Sequence, residues 1–181
     1  MIVSPLNQIK ATSSCFVYGT LMSEHVVSTL IGREPTFHKP AFLPPNKYSR
    51  HPVIGQRYPG VIETGCNDTE NFLETCPSLE QLQSCSVEGM LITGLSDNEM
   101  KIFDYFEDEG VDYIRKNTPI FLKNGDEIKK VETQVYIWNA GNDLLDLERS
   151  WDFHHFQSEN LSNYIKYVVK PCRMDLDRLG L

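Results

Sequence analysis

Asn124-Gly125 stands between two strand-like runs, Tyr113 to Lys123 and Ile128 to Trp138, and this arrangement restricts the fold more than any other feature of the chain. Asn and Gly both tolerate the positive φ of a tight two-residue hairpin turn, so the two runs are expected to fold back on each other. In the second run Val131, Thr133, Val135 and Ile137 alternate and belong to one face. Pro119 removes an amide donor from the first, which places part of that strand at an edge.

The remaining segments supply partners for this ribbon. Cys15-Phe16-Val17-Tyr18 is a short apolar run ended by Gly19 and reads as a buried strand. Ser23 caps a helix that runs through Leu30, with Gly32 just beyond its end. Five prolines between Thr36 and Ile62 favour strands interrupted by ordered loops. Ser86 to Leu95 returns to strand character, and Ser96-Asp97-Asn98-Glu99 is a capping box opening a helix that Gly110 should close. Trp151 to Val169 reads as a last helix, stopped by Pro171. The pattern predicts the α+β class, with an antiparallel, barrel-like sheet and few helices.

At 181 residues the chain suits one domain. Its expected extent is 15–170, after a polar lead-in at 1–14 and before a tail at 171–181. The polar stretch 64–85 is expected to be an insertion or a lid. With a net charge of -8 and scattered basic residues, the chain is not expected to bind nucleic acid. Its apolar stretches are too short to span a bilayer and no targeting signal opens it, so the expected location is cytoplasmic. The five cysteines are odd in number and form no Cys-x-x-Cys pair, which argues for reduced thiols and against a zinc site. The five histidines share no metal spacing, so no metal or cofactor is expected.

Two places could carry chemistry. The turn Gly19-Thr20-Leu21 after the first strand can present backbone N–H groups and the Thr20 hydroxyl to a carboxylate or an oxyanion. The same spacing also fits a strand-to-helix turn without a ligand. On the helix from Ser96, at about 100° per residue, Glu107 projects from the stripe of Met100 and Phe103. Desolvation, the negative helix end and Asp104 one turn back should each raise its pKa toward the range of a general base. A solvated acidic corner of Glu107, Asp108 and Glu109 is the alternative. Tyr113 and Arg115, two apart on the next strand, share a face that could orient a polar substrate, or could pair at the surface.

Phe16-Val17-Tyr18-Gly19-Thr20-Leu21, Val87-Glu88-Gly89-Met90-Leu91, Phe103-Asp104-Tyr105-Phe106-Glu107 and Tyr113-Ile114-Arg115 follow one another in an order that resembles the γ-glutamylcyclotransferase-like superfamily. The branch it resembles most is that of γ-glutamylamine cyclotransferases and plant avirulence-induced-gene-like (AIG2-like) proteins. Tyr136-Ile137-Trp138 and Trp151-Asp152-Phe153 are similar to the plant branch. The resemblance implies a small mixed or antiparallel β-barrel with flanking helices. It also implies a substrate loop of Cys15, Phe16, Val17, Tyr18, Gly19, Thr20 and Leu21, and Glu107 as proton acceptor, with Glu109 the rival alignment. The implied reaction cyclises a γ-glutamyl group to 5-oxoproline and releases an amine or amino acid. Two other activities fit the same fold: transfer of the γ-glutamyl group to an external amine, and non-catalytic binding of a small ligand or a partner. The length of 64–84 departs from the branch, and the oligomeric state is left open.

Overall fold

Residues 13–65 and 76–181 are described by a computed structural model. In chain order the elements are β1 (Ser13–Val17), a 3-10 turn (Thr20–Met22), α1 (Glu24–Ile31), β2 (Thr36–Phe42), β3 (Tyr48–Pro52) and β4 (Pro59–Glu63). Next come α2 (Leu79–Cys85), β5 (Glu88–Leu95), α3 (Asp97–Phe106), β6 (Tyr113–Asn124), β7 (Glu127–Trp138) and a 3-10 turn (Asn142–Leu144). The C-terminal helix joins α4 (Phe153–His155), a π segment (Phe156–Asn160), α5 (Leu161–Tyr164), a second π segment (Ile165–Val169) and α6 (Lys170–Leu179).

The predicted ribbon is present, β6 and β7 pairing antiparallel from Tyr113↔Trp138 to Asn124↔Glu127, but its turn is shifted by one residue: Asn124 ends β6, and Gly125 (φ 61°) and Asp126 make the turn. β2 reaches β6 only at Leu122 and Phe121, so Pro119 sits where the far side of β6 has no strand against it. The strands close into a barrel in the order β1-β5-β2-β6-β7, while β3 and β4 form a separate two-stranded ribbon. Closure is made by β1 pairing parallel to β7 at Cys15↔Gln134 and Phe16↔Val135. The molecule is therefore a mixed α+β structure, with a closed five-stranded barrel flanked by helices.

Both faces of β1 are buried, which explains why its sequence is apolar without alternation. Phe16 and Tyr18 pack with Leu91, Ile120, Val135 and Ile137, a set containing no helical residue. Cys15 and Val17 instead join Val26 and Leu30 of α1, Met100 and Phe103 of α3, and Phe156 and Tyr164 of the last helix. Gly89 marks where β5 crosses β1 most tightly: a Cβ there would lie 2.3 Å from the Val17 carbonyl oxygen and 2.7 Å from Phe16 Cζ.

Three other sequence expectations differ from the structure. The helix opened by the Ser96–Glu99 capping box ends at Phe106, before Gly110. Asp108 already takes a positive φ of 48° and turns the chain away, so Gly110 (φ 92°) belongs to the following turn. Pro171 does not stop the last helix: Val169 before it is already helical (φ -69°, ψ -48°), and Pro171 falls inside the helix, where the second π segment passes into α6. The segment 171–181, expected as a tail, is helical to Leu179. Leu176 is fully buried, Arg173 Nη1 donates to the Leu30 carbonyl (2.6 Å), and Arg173 Nη2 donates to the Leu181 carbonyl. Of the stretch read as an insertion or lid, residues 66–75 lie outside the described residues. Its end forms α2, capped by Ser78 and Gln81 and docked through Leu82 onto Phe42 and Phe121.

Candidate active site

The strand-to-helix turn after β1 is tighter than the sequence suggests. Met22 N–H donates to the Gly19 carbonyl (3.0 Å) and Ser23 N–H to that of Thr20 (3.1 Å), forming one 3-10 turn before α1 begins. This bonding does not use the amides of Thr20 and Leu21. Gly19 lets Pro59 approach closely, since a Cβ there would crowd Pro59 Cδ at 3.0 Å. Tyr18 is anchored at both ends: its hydroxyl donates to the Tyr136 carbonyl (2.5 Å), and its own carbonyl accepts from Arg50 Nη1 (2.8 Å).

Glu107 reaches the same place from the opposite side. It is the C-cap of α3, its N–H donating to Phe103 O at 2.9 Å, so its side chain continues the stripe of Met100 and Phe103. Asp108 then reverses the chain, Gly110 N–H donates to Tyr113 O (2.8 Å), and β6 begins beside the helix end. Helix end and strand start thus bring Glu107 and Tyr113 into one pocket. Phe16 to Leu21 form one wall, Tyr58 and Pro59 another, and Glu107, Tyr113 and Tyr136 the rest. Of the void between them only about 20 Å³ admits the centre of a water molecule. Such a space holds about one water.

Glu107 is half-buried as a residue, but its carboxyl is surrounded by protein. Burial, with a smaller contribution from the charge of Asp112, pushes its pKa up to about 8. The like charge is therefore Asp112 and not the expected Asp104, whose carboxylate is paired with Arg115. Tyr18, Tyr113 and Tyr164 are raised as well, first by burial and then by other neighbours that include Glu107, so they remain neutral phenols. Tyr58 is raised by burial and by Asp112. The Tyr113 hydroxyl donates to Pro59 O (2.8 Å), and the Thr20 hydroxyl reaches Tyr164 Oη at 3.5 Å. The result is one carboxyl of raised pKa, ringed by neutral hydrogen-bonding groups in a low-dielectric pocket, which suits proton transfer near neutral pH.

Of the residues singled out in the sequence, the pocket brings together Phe16, Val17, Tyr18, Gly19, Thr20, Leu21, Glu107 and Tyr113. Two stand apart. Cys15 is in the core with its thiol held protonated by burial and by Glu107, and Arg115 faces Asp104 and not the pocket. Glu109 is exposed, and its Oε1 accepts from the Arg115 backbone N–H at 3.5 Å. Among the described residues no group of three His, Cys, Asp or Glu side chains could hold a metal ion. Sequence reasoning missed Tyr58, Pro59, Tyr136 and Tyr164. A signal existed for Tyr136: if Val135 and Ile137 share one face, Tyr136 must belong to the other. None pointed to Tyr58 or Tyr164, which arrive from the ribbon β3–β4 and the last helix.

The profile of the family described as "Gamma-glutamyl cyclotransferase, AIG2-like" matches residues 15–154. The chain belongs to this family. AIG2-like protein D of Arabidopsis thaliana is 31% identical over 153 residues, 84% of each chain. AIG2-like protein C of the same plant is 30% identical over 161 residues, 89% of this chain and 78% of that one. A solution structure from Arabidopsis thaliana superposes with a TM-score of 0.56 at 23% identity, covering 94% of this chain and 87% of that one. A structure described as a gamma-glutamyl cyclotransferase gives 0.52 at 13% identity, covering 86% and 99%. The AIG2-like match ends at residue 154, before Tyr164 and most of the last helix.

Proposed function

We propose that this AIG2-like protein is a γ-glutamyl cyclotransferase with Glu107 as proton acceptor. The observation that carries the reading is the buried Glu107 carboxyl in one pocket with the Tyr18-Gly19-Thr20-Leu21 turn. The free α-amine of a γ-glutamyl group attacks its own γ-carbonyl carbon. Glu107 accepts a proton from the attacking nitrogen and delivers it to the departing nitrogen. One C–N bond forms, the other breaks, and 5-oxoproline leaves with a free amine or amino acid. No water is consumed, and Glu107 is regenerated.

With its pKa raised to about 8, Glu107 lies far nearer to a substrate α-ammonium than an ordinary carboxylate does, so taking the proton costs correspondingly less. In this reading the amides of Thr20 and Leu21 and the Thr20 hydroxyl stabilise the oxyanion. Nucleophile and electrophile belong to one molecule, so holding it folded back supplies much of the acceleration. The free thiols of Cys15, Cys76, Cys85 and Cys172 suit the cytosolic setting included in this proposal.

The narrow void favours a second reading, a non-catalytic module on the same fold. Assaying 5-oxoproline release from γ-glutamyl amines, γ-glutamyl amino acids and glutathione, with Glu107→Gln alongside, separates the two. Release by the wild type that is lost in the variant supports the cyclotransferase. No release from any compound leaves the module.

A further inference from the structure

Asp104 and Glu107 lie three residues apart at the end of α3, yet their carboxyls have different surroundings. Asp104 Oδ1 accepts from Arg115 Nε at 2.8 Å and from the Tyr136 hydroxyl at 2.7 Å, and its Oδ2 accepts from Arg115 Nη2 at 3.2 Å. Tyr136 in turn lines the Glu107 pocket and takes the Tyr18 hydroxyl on its carbonyl. Arg115, outside the pocket, is therefore linked through Asp104 to the Tyr136 hydroxyl, and the backbone of the same Tyr136 holds Tyr18 in the pocket wall. Arg115, Asp104 and Glu107 all act electrostatically on one buried thiol, Cys15, which places the three charges around the same stretch of β1.

We propose that Arg115 is a positioning residue for the Glu107 pocket: through its ion pair with Asp104 it tethers Tyr136 and offsets a second negative charge beside the proton acceptor. The inference rests on the reading of Glu107 as acceptor. Every packed element contributes groups around Glu107: Cys15 and Tyr18 from β1 and its end, Tyr58 from the β3–β4 ribbon, Tyr113 and Tyr136 from the barrel, and Tyr164 from the last helix. All of these are thiols or phenols that burial keeps neutral. Of the fixed charges, Asp112 acts on Glu107 directly, Asp108 acts on Asp112 and Tyr58, and the Asp104–Arg115 pair shares Cys15 with Glu107, its two charges offsetting each other there. Removing Arg115 leaves Asp104 uncompensated and should favour protonated Glu107. Removing the Asp104 charge leaves Arg115 uncompensated and should favour ionised Glu107. Opposite signs follow from the geometry, whereas a purely structural role predicts no sign at all.

The experiment is a titration of Glu107 by carboxyl-carbon NMR, its resonance assigned by loss in Glu107→Gln, together with the pH profile of kcat/KM for 5-oxoproline release. The proteins are the full-length wild type, Arg115→Gln, Arg115→Lys, Asp104→Asn and the Arg115→Gln/Asp104→Asn double variant. Asp104→Asn keeps an acceptor for the Tyr136 hydroxyl and so isolates charge from tether. Because the pair is partly solvated, the expected shift is on the order of one pH unit. It should be upward in Arg115→Gln and downward in Asp104→Asn, with Arg115→Lys and the double variant near the wild type. Midpoints that stay in place, or that move in the same direction in both single variants, overturn the proposal. Should Arg115→Gln fail to fold, Asp104→Asn decides alone, a downward shift supporting the pair and any other result overturning it. Absence of 5-oxoproline release with the shifts intact removes the proposed reaction and leaves the pair. Release with unmoved midpoints does the reverse.

Discussion

The two ends of the β6–β7 ribbon follow one hydrogen-bond ladder and yet obey different constraints. At the Asn124-Gly125 end the backbone decides: Gly125 has a positive φ, and nothing lies within 4 Å of where its Cβ would be. At the Tyr113–Trp138 end the side chains decide. Tyr113 packs edge-on against Trp138 with ring centroids 5.1 Å apart, and its hydroxyl is committed to Pro59 O. Trp138 Cγ would in turn lie 2.9 Å from a Cβ on Gly60. One end is a local turn that tolerates change; the other assembles β1, β4, α3 and β6 around a buried acid. A strand pair can thus be specified by local chemistry at one end and by tertiary packing at the other.

The sharpest way to break the contrast is at the acid itself. Glu107→Gln should lower kcat for 5-oxoproline release by about 10²–10⁴-fold, the usual worth of a positioned general base. A change below threefold in a steady-state assay would remove Glu107 from the mechanism. Gly89→Ala, at the β1–β5 crossing, should cost about 3 kcal/mol or more in urea denaturation, since the added Cβ would stand 2.3 Å from backbone.

Glu107→Gln should also stabilise the fold by about 2 kcal/mol near neutral pH, raising Tm by roughly 5 °C. The sign follows from linkage: with a folded pKa of about 8 against an ordinary value of 4.5, the native state keeps a proton that the unfolded chain has released. Wild-type stability should therefore fall as pH rises through that window and level off above about 8, while kcat/KM rises over the same limb. Melting curves at several pH values check the first, and initial rates the second. If the Glu107→Gln difference fails to grow with pH between these limits, the buried-acid account is wrong. The smallest effect belongs to the far end: Gly125→Ala should cost about 1 kcal/mol through its positive φ and leave kcat/KM unchanged. A loss of activity there would show the two ends to be coupled.

What could be read from the sequence divides along the same line. The Asn124-Gly125 hairpin, the Ser96–Glu99 capping box and the Gly32 helix end are local signals, and the structure carries all three. Glu107 on the stripe of Met100 and Phe103 could be found from helical spacing alone. The role of Arg115 could not, because alternation places a side chain on a face without naming its partner, and that partner, Asp104, comes from another element. Tyr58 and Tyr164 approach from segments that carry no motif. Pro171 misled because a proline usually ends a helix, whereas here it lies within one, at the junction of a π segment with α6.

The parallel pairing of β1 with β7 sets an order of assembly. Ser14 Oγ and Thr133 Oγ1, 2.8 Å apart, are separated by 119 residues of chain. A nascent chain emerging from the ribosome can form α1, α3 and the β1–β5 pair early, but its barrel stays open until β7 has been made. Tyr136, which takes the Tyr18 hydroxyl, arrives with that last strand. The pocket therefore comes into being late in synthesis, and a fragment ending before β7 would hold both the glycine turn and Glu107 without the wall that joins them.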